Sequence, residues 1–222
     1  MVEISTSLLN VRNNAIKIFY NLEVAHTDYF HIDVMDGKFV ENNTIERMKE
    51  YALTIKQISN LPLDIHLMVK DVKKFINEYI DLNPNIITFH IEVFKNKDEI
   101  YKTIRYIKEN GIRVGIAIKP ETDVEEIYEF LPYIHMILIM TVEPGKGGQK
   151  LIPQTIKKVK KIKEFINKEK IDIDIEVDGG INEETADIVK KAGANVLVIG
   201  VAIINSKNYI TTIQNFKNII DN

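Results

Sequence analysis

The fold is indicated by the stretch Met136-Ile-Leu-Ile-Met140, in which every residue is apolar. Because successive side chains of a strand point to opposite faces, both faces of this strand are apolar. Strands of a parallel sheet that helices cover on both faces carry such runs. Similar Val- and Ile-rich runs recur along the chain, and each precedes a longer stretch with helical spacing. We predict strands near Glu3–Leu9, Tyr29–Val34, Leu63–Met68, Ile86–Val93, Arg113–Ile118, Met136–Val142, Asp172–Val177 and Asn195–Ile199.

The residues after the sixth run show the helical spacing clearly. Ile156, Val159, Ile162 and Ile166 recur at intervals of three and four, which places them on one helix face. We expect the intervening lysines to face water; they are Lys157, Lys158, Lys160, Lys161 and Lys163. A nucleic-acid patch is the alternative for this run, but ordinary amphipathicity explains it better.

Eight β-α units in 222 residues predict a parallel sheet, since parallel neighbours need helical crossovers. Eight such units close into a (β/α)₈ barrel, the TIM barrel, and we expect one domain over residues 1–222. The competing fold is the doubly wound open sheet. That fold usually has fewer strands and a glycine-rich first turn, whereas Leu8-Leu-Asn-Val-Arg12 has no glycine.

The composition of the chain argues against nucleic-acid binding, membrane insertion and a metal site built from cysteine. The chain is 45% hydrophobic and 27% charged, with a net charge of −3, which offers no broad surface for nucleic acid. It has no cysteine, so any metal must be held by histidine and carboxylate. No apolar run reaches membrane-spanning length, and the N-terminus lacks a secretory pattern. We therefore expect a cytoplasmic protein that binds neither nucleic acid nor membrane.

Imidazoles and carboxylates stand where several predicted strands end. His31 and Asp33 share one face of the second strand, His66 ends the third, and Asp178 ends the seventh. A barrel places its active site at the carboxyl ends of its strands. We therefore interpret these four residues as ligands of one divalent metal ion. The N/O donor set favours Zn²⁺ or Fe²⁺, with Mn²⁺ or Co²⁺ as alternatives, over Ca²⁺ or Mg²⁺.

Other titratable residues near these strands receive lesser roles. Asp36 precedes Gly37 and is typical of a turn. Asp64 lies two residues before His66 and is expected to support the site from deeper in the barrel, or to be structural. His90 faces inward on the fourth strand and is either packed or catalytic. The remaining histidines, His26 and His135, are assigned structural or surface roles.

Glycine-rich turns after the last three strands predict a phosphate site. They are Pro144-Gly-Lys-Gly-Gly-Gln149, Asp178-Gly-Gly180 and Ile199-Gly-Val-Ala202. Exposed amide N–H groups in such turns can cradle an anion, and barrels often bind phosphate after strands seven and eight. The turn after strand six is also the candidate for a mobile lid. Met35, Met68 and Met140 lie beside the strand ends and could form an apolar cap.

At these residues the chain resembles the ribulose-phosphate 3-epimerase family almost from end to end. The motifs that carry the resemblance are Ser7-Leu-Leu-Asn10, His31-Ile-Asp-Val-Met-Asp-Gly-Lys-Phe-Val40, Leu63-Asp-Ile-His-Leu-Met-Val69, Met140-Thr-Val-Glu-Pro-Gly-Lys-Gly-Gly-Gln149 and Glu176-Val-Asp-Gly-Gly-Ile-Asn182. The resemblance implies that the chain folds as a (β/α)₈ barrel and assembles as a homo-oligomer. It also implies that the protein interconverts D-ribulose 5-phosphate and D-xylulose 5-phosphate in the pentose phosphate pathway.

The resemblance also implies residue roles. Metal ligation falls to His31, Asp33, His66 and Asp178, and the acid/base pair is Asp33 and Asp178. The implied substrate-binding residues are Ser7, His66, Met35, Met68, Met140, Gly145, Lys146, Gly147, Gly148, Gly179, Gly180, Gly200 and Val201. The chain departs from the family pattern at Lys146, usually Phe, at Val201, usually Ser, and in the loop after strand two, which has no Phe-Gly-Pro.

The implied reaction removes the C3 proton through a metal-stabilised ene-diolate and returns a proton on the opposite face. An epimerase of the same family that acts on D-allulose 6-phosphate is the nearest alternative. A phosphate-binding barrel decarboxylase is a second, but such enzymes carry an Asp-x-Lys-x-x-Asp motif where this chain has Asp64-Ile-His66. A non-enzymatic binding module is the last, and the cluster of titratable residues disfavours it.

Overall fold

The computed structural model describes residues 2–221, whose strands form one closed, parallel barrel in chain order. The predicted (β/α)₈ fold class is confirmed. The strands are β1 (Glu3–Ser7), β2 (Tyr29–Met35), β3 (Leu63–Met68), β4 (Ile86–His90), β5 (Arg113–Ile118), β6 (Met136–Met140), β7 (Asp174–Asp178) and β8 (Val196–Ile199).

The helices surround the barrel and bury their apolar faces against it. They are α1 (Ala15–Val24), α2 (Ile45–Ile58), α3 (Val72–Ile80), α4 (Lys97–Glu109), α5 (Thr155–Glu169), α6 (Glu183–Ala192), α7 (Val201–Ile204) and α8 (Tyr209–Asp221). The expected α-helix after β5 is wrong: that connection contains the 3₁₀ helices Val124–Glu126 and Leu131–Tyr133, and β8 is followed by two α-helices instead.

Strand register brings the polar residues of β2 and β3 together. His31 pairs with Asp64, and Asp33 pairs with His66. Because paired residues of neighbouring strands point to the same face, all four side chains lie inside the barrel. They are at most 3% exposed, so the barrel interior holds charge as well as apolar packing.

Helix α5 confirms the predicted apolar face, with Val159, Ile162 and Ile166 buried. Lys158 contradicts the prediction that all its lysines face water. Its ammonium donates hydrogen bonds to the backbone carbonyls of Lys119 and Thr122, and burial lowers its pKa. Periodicity assigns a residue to a helix face, but it does not show that a neighbouring loop will offer carbonyls to a lysine on that face.

Within residues 2–221, the structure has no helix that combines the length and the apolar character needed to cross a bilayer.

Candidate functional site

The four predicted ligands meet at the carboxyl ends of β2, β3 and β7. His31 Nε2 lies 3.3 Å from Asp33 Oδ1 and 3.9 Å from Asp178 Oδ2. His66 Nδ1 lies 3.5 Å from the same Asp33 oxygen and 3.6 Å from the same Asp178 oxygen. The two nitrogens and two oxygens are therefore arranged around one point, and all lie within 4.8 Å of one another.

This arrangement fits a divalent ion. Metal–ligand bonds of about 2.0–2.2 Å at tetrahedral angles separate the ligand atoms by roughly 3.3–3.6 Å. His31 Nε2 and His66 Nδ1 are buried and have no hydrogen-bond partner among the described residues, which is costly for a polar atom unless something else binds it. Two imidazoles and two carboxylates are a donor set typical of Zn²⁺, Fe²⁺, Mn²⁺ or Co²⁺.

Asp64 fixes the orientation of His31. The Nδ1 atom of His31 lies 2.6 Å from Asp64 Oδ2, which also accepts a hydrogen bond of 2.7 Å from Ser5. A carboxylate behind an imidazole selects the tautomer whose other nitrogen is free for a metal. Burial lowers the pKa of His31, but Asp64 and then Asp33 outweigh it, so the pKa is raised. The same negative field attracts a cation.

A second chain of hydrogen bonds leads away from His66. Its Nε2 atom lies 3.0 Å from His90 Nε2, and His90 Nδ1 lies 3.1 Å from Glu92 Oε2. Burial lowers the pKa of His90 to about 4, so this ring is neutral near pH 7. Burial raises the pKa of Glu92, but the hydrogen bond from His90 and other donors outweigh it and bring the pKa to about 2.

Glu176 is a buried carboxyl group that the sequence analysis did not single out as part of the site. It lies on β7 below Asp178, and its Oε1 atom is 3.9 Å from His31 Nδ1. Burial, and then the charge of Asp64, raise the pKa of Glu176 well above its usual value. The period of two along β7 could have identified it, because Glu176 and Asp178 share the inward face.

The two predicted proton carriers have different surroundings. Asp33, on β2, is buried, and its Oδ2 atom accepts a hydrogen bond of 2.7 Å from Ser7. Burial raises the pKa of Asp33, but the imidazoles of His31 and His66 outweigh it and hold the pKa well below its usual range. Asp178, on β7, has a side chain that is 16% exposed. Its carboxylate is therefore the more accessible of the two.

A cavity of about 790 Å³ opens above these groups. Its walls include every predicted substrate-binding residue except His66, which is fully buried beneath it: Ser7, Met35, Met68, Met140, Gly145, Lys146, Gly147, Gly148, Gly179, Gly180, Gly200 and Val201. Asp33 and Asp178 also line it. The three methionines are at most 2% exposed and pack in two apolar clusters of the cavity wall, Met35 and Met68 beside Leu9, and Met140 beside Val142.

The backbone of Gly179 and Gly180 requires glycine. Their φ angles are 116° and 69°, a region that other residues rarely adopt. A Cβ atom on Gly180 would also overlap the backbone nitrogen of Leu151, and one on Gly179 would overlap the side chain of Val142. The turn after β7 can therefore pack against the loop after β6 only with glycine at both positions.

The loops after β2 and β6 touch across the mouth of the cavity. Asn42 donates a hydrogen bond of 3.3 Å to the Gly145 carbonyl, and Lys146 Nζ is 4.0 Å from a Glu41 carboxylate oxygen. The Lys146 side chain is 74% exposed. Because solvent screens such a pair strongly, the contact contributes little to stability.

The residues outside the site have the expected structural roles. Asp36 accepts hydrogen bonds from the backbone of Lys38 and Phe39 within its turn, and one of 2.8 Å from the backbone of Lys70. His135 accepts a hydrogen bond of 3.0 Å from the Val114 backbone, and His26 is an exposed residue after α1. His90, for which the sequence allows either a packed or a catalytic role, lies 3.0 Å from the predicted ligand His66.

Sequence comparison gives one consistent result. A family model described as the Ribulose-phosphate 3 epimerase family matches residues 3–204. The ribulose-phosphate 3-epimerase of Methanocaldococcus jannaschii is 38% identical over 218 residues, covering 98% of this chain and 90% of that protein. The ribulose-phosphate 3-epimerase of Bacillus subtilis is 38% identical over 208 residues, covering 91% and 92%.

Solved structures share the barrel. The 3-hexulose-6-phosphate synthase from Salmonella typhimurium has a TM-score of 0.67 at 18% identity, covering 98% of each chain. The thiamine phosphate pyrophosphorylase from Pyrococcus furiosus has a TM-score of 0.65 at 14% identity, covering 99% of this chain and 96% of that one. At such identities the likeness concerns the fold alone.

Proposed function

The chain belongs to the ribulose-phosphate 3-epimerase family, and on this premise we propose that it epimerises D-ribulose 5-phosphate at C3 with one divalent metal ion and two aspartates. The observation that carries the proposal is the ring of four ligand atoms, 3.3 to 3.9 Å apart along its His–Asp edges, with two buried imidazole nitrogens that have no hydrogen-bond partner within residues 2–221. A metal held by His31, Asp33, His66 and Asp178 accounts for both features.

The aspartates are assigned the proton transfers. Inversion at C3 needs one proton carrier on each face of the planar intermediate that follows loss of the C3 proton. Asp33 and Asp178 come from strands β2 and β7, and both line the cavity. A divalent ion bound between them would supply a Lewis acid that polarises the C2 carbonyl. Ser7 holds Asp33 by its second oxygen and so limits its rotation.

The cavity walls are assigned substrate binding. Gly179 and Gly180 follow β7, and Gly200 and Val201 follow β8, where barrels commonly bind phosphate with backbone N–H groups. Val201 can contribute its N–H group despite the departure from the family pattern, because backbone donors do not depend on the side chain. We assign to the three methionines that line the cavity the exclusion of water from the reacting carbons, which strengthens electrostatic interactions there.

We expect Gly180→Ala to raise KM for D-ribulose 5-phosphate at least tenfold. The added Cβ must displace the Leu151 backbone from its contact with the turn, and the positive φ adds strain. Steady-state kinetics would measure the effect. Gly111→Ala is the matched control, because Gly111 also has a positive φ but nothing lies within 4 Å of its Cβ position. Equal KM values for the two variants would contradict the assignment of this turn to substrate binding.

The reaction itself is tested by product analysis. Purified protein supplied with Zn²⁺ or Fe²⁺ should convert D-ribulose 5-phosphate to D-xylulose 5-phosphate, and in D₂O the product should carry deuterium at C3. D-allulose 6-phosphate, assayed in parallel, should give a lower kcat/KM. The reverse preference would favour the hexulose-phosphate alternative, and turnover of neither sugar would contradict the proposal. The homo-oligomeric state and the cytoplasmic location stay predictions.

A further inference from the structure

We propose that Glu92, acting through His90, is a positioning residue that keeps the Nδ1 lone pair of His66 directed toward the metal position. The inference rests on the proposed function, since it takes His66 as a metal ligand. It concerns a part of the protein that the proposed reaction does not otherwise use: the 3₁₀ helix Ile91–Val93 that follows β4.

A metal bound at His66 would determine the proton positions on His66 and His90, one after the other. A metal at His66 Nδ1 requires a lone pair there, so the ring proton of His66 must be on Nε2. Among the described residues, the acceptor for that proton is His90 Nε2, 3.0 Å away, and a nitrogen that accepts carries no proton, so the ring proton of His90 is on Nδ1. His90 Nδ1 in turn lies 3.1 Å from Glu92 Oε2, a carboxylate oxygen that only accepts. Every donor then faces an acceptor.

Glu92 is itself held by donors on its other oxygen. Its Oε1 atom accepts hydrogen bonds of 2.7 Å from the Lys119 backbone and 2.5 Å from the Thr122 hydroxyl. The ammonium of Lys158 donates to the carbonyls of the same two residues, which fixes the loop that carries them. The carboxylate is therefore anchored by groups outside the metal centre, as a positioning residue must be.

The surroundings of His66 and His90 keep bulk water from replacing the Glu92 carboxylate as a hydrogen-bond acceptor. His66 and His90 are both fully buried. The ring of Phe39 packs over His90 at a centroid distance of 4.8 Å, and Lys119 Nζ lies 4.6 Å from the Phe39 ring centroid. Bulk water is thus excluded from both imidazoles, so their hydrogen-bond directions depend on protein groups.

Each of the two predicted histidine ligands is then oriented by a carboxylate on the side of its ring away from the metal position. Asp64 accepts directly from His31 Nδ1 at 2.6 Å, and Glu92 accepts from His66 through one intervening imidazole. Carboxylates behind metal-bound histidines fix the tautomer and ring orientation, and their loss typically lowers metal affinity about 10–100-fold. His90 links His66 on β3 to the carboxylate of Glu92 in the 3₁₀ helix, which is too far from His66 to accept its proton directly.

Glu92→Gln should reverse the donor and acceptor roles in the hydrogen bonds from His66 through His90 to residue 92, with almost no change in the shape of the side chain. The Lys119 N–H and Thr122 hydroxyl both need an oxygen acceptor, so the amide oxygen should remain on their side. The amide NH₂ then faces His90 Nδ1, which must accept, and the His90 proton moves to Nε2. His66 can no longer donate to His90, so its proton moves to Nδ1, where a metal ligand needs a lone pair.

The test measures zinc affinity and the tautomers themselves. Chelator competition should give a Zn²⁺ Kd about 10–100-fold higher for Glu92→Gln than for the unsubstituted chain. Glu121→Gln, which neutralises a carboxylate 62% exposed on the neighbouring loop, should leave Kd within about twofold. In the ¹⁵N-histidine-labelled zinc protein, two-bond correlations should place the proton of His90 on Nδ1 and that of His66 on Nε2.

The outcomes separate this inference from the proposed function. An unsubstituted chain that binds no divalent ion contradicts the proposed function. Tight zinc binding in the unsubstituted chain with an unchanged Kd in Glu92→Gln contradicts the positioning role alone. A His90 proton on Nε2 also contradicts it, and this measurement needs no variant, so it decides the matter even if Glu92→Gln does not fold.

Discussion

Asp178→Asn is expected to lower kcat for D-ribulose 5-phosphate by about 10²–10⁴-fold, the usual contribution of a general acid or base. The amide keeps the shape of the carboxylate but can neither take nor return a proton near neutral pH. The kinetics should be measured with excess Zn²⁺ and with metal content determined in parallel, because Asp178 Oδ2 also faces both imidazoles of the site. The loss in kcat should persist in fully loaded protein.

Asp187→Asn is the matched control for this variant. Asp187 lies on α6, in the same βα unit, and pairs with Lys191 at 2.6 Å on the surface. Its replacement should leave kcat within about twofold, because exposed pairs of this kind contribute at most about 1 kcal/mol to stability. Near-normal epimerisation by folded, metal-loaded Asp178→Asn would remove Asp178 from the proton transfers, whereas the metal site could still stand.

Much of the site could be predicted because two regular patterns coincide. The period of two along a strand puts His31 and Asp33 on one face, and a closed parallel barrel brings the ends of β2, β3 and β7 to one rim. Neither pattern depends on the details of packing. The sequence therefore predicts which side chains meet, and the structure adds the distances, 3.3 Å for His31 to Asp33 among them.

Of the residues that the sequence patterns do not identify, Glu176 lies within the regular period of β7, whereas Glu92 lies where a regular pattern ends. The sequence predicts a strand through Val93, but β4 ends at His90 and a 3₁₀ helix turns Glu92 back toward the ring of His90. The period of two does not apply after that bend. Lys158 is a similar case, since its burial depends on carbonyls of a loop 36 to 39 residues away in the chain. Such contacts depend on tertiary structure.

Removal of the divalent ion should lower kcat/KM by about 10³-fold, if the lost Lewis acid is worth about 4 kcal/mol. Dialysis against a chelator, followed by the epimerase assay and elemental analysis, would measure the loss. Zn²⁺, Fe²⁺, Mn²⁺ or Co²⁺ at one ion per chain should restore activity. Ca²⁺ and Mg²⁺ should restore little, because they prefer all-oxygen ligands and this site presents two imidazole nitrogens.

The same ion should stabilise the fold, and this gives a second measurement that does not depend on turnover. An ion that binds only the native chain adds about 4 kcal/mol at a concentration 1,000-fold above its Kd, which raises Tm by about 2–4 °C per kcal/mol in a chain of this size. Without it, His31 Nε2 and His66 Nδ1 stay buried with no hydrogen-bond partner from the described part of the chain, while the carboxylates of Asp33 and Asp178 lie within 4.8 Å of each other. Full activity and an unchanged Tm in metal-free protein would contradict the metal assignment, whereas lost activity with an unchanged Tm would contradict only the expected gain in stability.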